Sequence, residues 1–136
     1  MSENLNATAS AFDVKETMDR LEAAARARGL TIFARIDHAA GTRAVGLPLR
    51  ATELLVFGDA RVGTALMQAA QTMGLEVPLK ALAWEDEAGR VWLGYADPRA
   101  AAARHDVDAA TAAVTTKMAT GLAALAAEAT TKKALV

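Results

Sequence analysis

Residues 53–70 constrain this chain more than any other stretch, because they place an apolar strand, a glycine-bearing turn and an amphipathic helix in direct succession. Glu53 leads into Leu54, Leu55, Val56 and Phe57, the nearly continuous apolar run expected of a strand covered on both faces. Gly58 and Asp59 turn the chain, and Val62, Leu66, Ala69, Ala70 and Met73 then recur at helical spacing until Gly74. A strand, a glycine turn and a helix also make up a phosphate-binding loop. Such a loop needs a lysine and a hydroxyl residue after its second glycine. Gly63 is followed by Thr64 and Ala65, with no lysine. Asp59 would also oppose an anion at the helix start. The residues therefore favour a turn at Gly58, a helix cap at Asp59 and close packing at Gly63.

Other elements follow from the same periodicities. Asn4 to Ala9 form a weak candidate edge strand within an N-terminal segment, residues 1–11. Asp13 and Glu16 fit a capping arrangement, and Val14, Met18, Leu21 and Ala25 define a helix over residues 13–28 closed by Gly29. Residues 30–36 form a strand whose alternation breaks at Ala34 and Arg35. Residues 37–41 form a loop, and residues 44–49, with Pro48, an edge-like extended piece. The second helix spans residues 61–73. Residues 80–84 and 91–95 flank a polar turn with Gly89, a hairpin signal. Asp97 and Pro98 begin a short helix that His105 and Asp106 interrupt, and Val107 and Asp108 open a last helix over residues 108–128. Residues 130–136 read as a tail. One α+β domain over residues 12–129 is expected, with a mixed or mainly antiparallel sheet. With 53% hydrophobic but only 4% aromatic residues, alanine, leucine and valine must build a thin core.

Composition removes several function classes. Fifteen basic against sixteen acidic residues leave no cationic footprint for nucleic acid. The absence of cysteine excludes disulfides, thiolate zinc sites and thiol catalysis. The amino terminus has no basic and apolar leader pattern, and no run of eighteen apolar residues exists, so a cytoplasmic chain with no membrane partner is expected. No cofactor is expected.

Candidate chemical residues are few. His38 follows a strand directly and stands beside Asp37, an imidazole and a carboxylate at a rim, although neighbours on an extended chain point to opposite faces. A solvent-facing or loop-bracing role is the simpler account. His105 beside Asp106 lies at a helix break and is the weaker candidate. Neither HxH nor HExxH occurs, so no metal site is expected. Ser2 and Ser10 lack a nucleophile elbow, and Thr42, Thr52 and Thr64 have no visible activator. Glu53 can project into a pocket near the Asp37 loop. Glu85, Asp86 and Glu87 suit a hairpin tip, and Trp84, Trp92 and Tyr95 suit packing.

Three separated motifs, residues 20–41, 49–70 and 78–98, together resemble the DUF302 family, small bacterial and archaeal domains of unknown function. The resemblance runs from about Phe12 to Leu125. Asp37-His38 matches a recurring pair of that family. The segment from Ala51 to Ala60 matches its PTELLxFGNP pattern, with alanine at both prolines and Asp59 at the asparagine. The resemblance implies a compact α+β fold with a curved, largely antiparallel sheet packed by helices, and a homodimer, but supplies no catalytic residue. Exposed edge strands also favour a twofold dimer.

The leading expectation is a noncatalytic domain that binds an unidentified small molecule or a protein, with any pocket near His38, Glu53, Asp59 and Thr64. An enzyme using His38 as general acid or base, oriented by Asp37, Glu53 or Asp59, is the alternative. A structural homo-assembly protein is the third.

Overall fold

The computed structural model describes residues 5–132. Among these the chain forms five strands, β1 (Leu5–Ser10), β2 (Thr31–Asp37), β3 (Thr52–Gly58), β4 (Leu79–Glu85) and β5 (Val91–Ala96). It also forms five helices, α1 (Val14–Ala27), α2 (His38–Ala44), α3 (Ala60–Ala69), α4 (Pro98–Arg104) and α5 (Ala112–Thr130). The sheet order is β1-β5-β4-β3-β2, and every ladder is antiparallel. The fold is thus α+β with a wholly antiparallel sheet, and the N-terminal strand does lie at an edge.

Strand alternation sets the two faces. Leu55 and Phe57 of β3, Ala81 and Ala83 of β4, and Val91 and Leu93 of β5 point to one side. There they meet Val14, Met18, Leu21 and Ala25 of α1, and Leu122, Leu125, Ala126 and Ala129 of α5. Alanines on both layers let the helices sit close to the sheet. In β2 the register shifts between Ile32 and Ala34, a β-bulge at Phe33. The extra residue returns Arg35 to the helix side, where it reaches Asp19, and accounts for the broken alternation in the sequence. A second, smaller core of Leu66, Met73, Ala101 and Ala102 joins α3, α4 and the 3-10 turn Gln71–Leu75 to Val114 and Met118 of α5.

Four expectations are corrected. Residues 37–41 are not a loop: Asp37 accepts the Ala40 N–H at 2.9 Å and caps α2. Residues 44–49 do not form one extended piece: α2 runs to Ala44, the chain turns at Gly46 with φ +78°, and residues 47–49 belong to no helix or strand. The helix placed at residues 61–73 stops at Ala69, where Ala70 turns extended, and a 3-10 turn follows. The last helix begins at Ala112 rather than Asp108 and continues to a buried Thr130, whose hydroxyl donates to the Ala126 carbonyl. Residues 1–4 of the N-terminal segment and 133–136 of the tail lie outside the described residues.

Candidate functional site

The four residues expected around one pocket separate into two groups. Glu53 and Asp59 bracket β3, and six residues of extended chain span about 20 Å. At the Glu53 end, Asp37 and Glu53 are register partners across β2 and β3. Neither carboxylate faces an imidazole. Asp37 is engaged by the Ala40 N–H, and Glu53 accepts from Arg35 Nε at 2.9 Å. Arg35 donates as well to Asp19 at 2.7 Å, and Lys15 reaches the same carboxylate. Lys15 first and Arg35 second hold the Asp19 carboxyl below its ordinary range. This ion network ties β2 and β3 to α1. His38, the first residue of α2, is exposed, and its ring has no hydrogen-bond or ion-pair partner among the described residues. A carboxylate-oriented histidine is not assembled there.

Asp59 and Thr64 lie at the other end of β3. Asp59 caps α3 by accepting the Arg61 N–H at 2.9 Å. Beside it opens a cavity of about 460 Å³ between the end of the sheet, α3 and α5. Its walls are apolar: Leu30, Val62, Leu79, Met118, Leu122 and Leu125 among them. Arg28, Arg61, Lys117 and Asp59 form the polar border. Arg28 is engaged with Glu128 at 3.0 Å, whereas the side chains of Arg61 and Lys117 have no partner among the described residues. A neighbouring cavity of about 250 Å³ shares Gly58, Asp59, Val62, Leu79 and Met118 and is bordered by Thr64. The first turns of α3 therefore stand between two hollows, and Leu66 is the helix's only buried residue.

Gly121 lines the larger cavity from the middle of α5. A Cβ built there would meet nothing within 4 Å among the described residues. Glycine inside a helix costs about 1 kcal/mol against alanine, and no close approach in the fold requires it at this position. Among the described residues there is room for a side chain at this lining position. Periodicity could not single it out, because a glycine in an alanine-rich helix carries no pattern of its own.

A second polar cluster gathers around His105. Its Nδ1 lies 2.8 Å from Thr72 Oγ1 and its Nε2 3.1 Å from Glu76 Oε2, while Arg104 binds the other Glu76 oxygen. Arg104 first, then His105, keeps the Glu76 carboxyl below its ordinary value. The break in α4 at His105 turns this ring back onto the 3-10 turn. A hydroxyl, an imidazole and a carboxylate in series resemble a catalytic relay, but Thr72 is exposed and borders neither cavity beside α3. Here the cluster clamps α4 to the 3-10 turn. Among the described residues no group of three His, Asp or Glu side chains is placed to hold a metal ion.

A family model described as "Domain of unknown function DUF302" matches residues 6–125. The chain belongs to the DUF302 family. Its fold is shared with an uncharacterised conserved DUF302 protein from Bacillus stearothermophilus, at a TM-score of 0.85 and 16% identity, over 94% of this chain and 99% of that one. The chain is also 44% identical over 112 residues to fluoride-specific ion channel FluC 1 of Brucella suis biovar 1, covering 82% of this chain and 44% of the relative. FluC 2 of Brucella melitensis biotype 1 is 44% identical over the same length, with 42% of that protein covered. This DUF302 domain thus spans less than half the length of those relatives. Within the described residues no helix is long and apolar enough to cross a membrane.

Proposed function

We propose that this DUF302 domain is a noncatalytic binding domain for a small, largely apolar molecule, seated between α3, α5 and the end of the sheet. Gly121 carries the proposal: a helix-weakening residue lines the cavity and has open space where its Cβ would stand among the described residues. The volume of about 460 Å³ falls in the range of small-molecule sites, which are mostly apolar with a few polar groups fixing orientation. Fluoride, named for the Brucella relatives, is a poor match to these walls, because a small hydrated anion loses solvation in apolar surroundings. We therefore assign the segment a binding role that stands beside channel activity in those longer proteins. We also place the chain in the cytoplasm, which cell fractionation checks. The binding test is a thermal-shift titration with 1-octanol. A concentration-dependent rise in Tm is expected for the natural chain and no rise for Gly121→Leu; no rise in either protein contradicts the proposal.

Self-association is a second reading, favoured by apolar surface left open on the edge strands and beside α2. Leu5 of β1, Phe33 and Ile36 of β2, and Val45, Leu47 and Leu49 after α2 are exposed. A twofold axis beside the β2 edge would pair two such strands and cover apolar surface on both protomers. Sedimentation equilibrium tests it: a dimer is expected for the natural chain, and a monomer throughout the concentration range removes this reading.

A further inference from the structure

Resting on the assignment of the α3–α5 cavity as a binding site, we infer that its ligand is an amphipathic monocarboxylate, an apolar chain or ring ending in one negative charge. The lining has two parts of different chemistry. Leu79, Met118, Leu122 and Leu125 line the cavity with no side-chain donor and no acceptor stronger than the Met118 thioether, which suits hydrocarbon. Charge is confined to the border.

There, Arg28 is already bound to Glu128. Asp59 accepts the Arg61 backbone N–H and has no side-chain cation paired to it among the described residues. Arg61 and Lys117 stand on the two helices that flank the opening, one on α3 and one on α5. These two cations outnumber Asp59 by one charge. A ligand of charge −1 balances that border, a dianion overshoots it, and a cation would be repelled. An arginine fork also matches a carboxylate in geometry. A carboxylate between Arg61 and Lys117 would join α3 to α5 while its tail fills the space that Gly121 leaves open. Burying that tail stabilises the complex by roughly 0.8 kcal/mol for each methylene removed from water.

Isothermal titration calorimetry with three probes of equal chain length separates the two claims. Octanoate, 1-octanol and octylammonium are titrated into the natural chain and into the Arg61→Gln/Lys117→Gln variant. Octanoate should bind most tightly and octylammonium least. The double variant should lose about tenfold in octanoate affinity, a change of about 1.4 kcal/mol, while 1-octanol binding stays unchanged and reports that the cavity is intact. Added salt should weaken octanoate alone. Octanol binding as tightly as octanoate, or octanoate affinity surviving in the double variant, overturns the carboxylate assignment and leaves an apolar site standing. Absence of binding by all three probes removes the site itself.

Discussion

At the scale of single residues, two glycines with opposite surroundings make the sharpest predictions. Gly121 has open space where its Cβ would be, so Gly121→Leu should raise stability by about 1 kcal/mol through helix propensity, measured by urea denaturation. Gly94 is the reverse case. A Cβ there would stand 2.9 Å from the Trp84 ring, which lies across the strand. Gly94→Ala should cost roughly 1–3 kcal/mol, with a shift in tryptophan fluorescence as the ring is displaced. Unchanged stability would mean that Trp84 has another position available. Three of the helix caps, Asp13, Asp59 and Asp97, were legible from the sequence, whereas Asp37 and Asp108 were misplaced. Asp13 accepts the Glu16 N–H at 2.8 Å, and Asp97 with Pro98 opens α4, each as its local pattern implies. Side-chain partners separated by a hundred residues carry no such pattern, and Arg28 with Glu128 is an example.

At the scale of elements, α3 is anchored by one buried side chain, Leu66, between two hollows. Its amides should exchange with deuterium faster than those of α1, and octanoate should slow them; equal protection of α1 and α3 without ligand would contradict this account. The clamp beneath it has its own signature in pH. Because the Glu76 carboxyl titrates below its ordinary value of about 4.5 when folded, the unfolded chain binds the proton first as pH falls. The stability contributed by Glu76 is therefore present above pH ~4.5 and lost as pH drops through the lower folded value. Glu76→Gln should flatten the acid limb of stability against pH. A variant with an unchanged acid limb would show that the clamp contributes nothing. Element boundaries were legible only where a cap and a period coincided. Asp37 and His38 looked like a loop because α2 has just seven residues and buries only Ala39, too little for a helical stripe to show.

At the scale of the molecule, the order of apolar and polar stretches was enough to give an α+β domain, an edge strand and the β4–β5 hairpin. The site was not legible in the same way. Asp59 and Thr64 were drawn in by their place after β3, but the cavity they border depends on α5, whose contribution comes more than fifty residues later. His38 and Glu53 attracted notice through chemistry alone, and the fold places them at the far end of β3. The open apolar surface gives a prediction at this scale as well. Ile36→Glu, which puts a charge on the exposed β2 edge, should shift sedimentation toward monomer; a natural chain and variant with the same sedimentation profile would place any association elsewhere.

We propose the space between α3 and α5, lined by Gly121, as a binding site. The most direct measurement is a two-dimensional amide NMR titration with 1-octanol on the natural chain and on Gly121→Leu. Saturable shifts should cluster at Val62, Leu79, Met118 and Leu125 in the natural chain and be absent from the variant. Shifts that never saturate, that spread over the surface, or that persist unchanged in Gly121→Leu would contradict it.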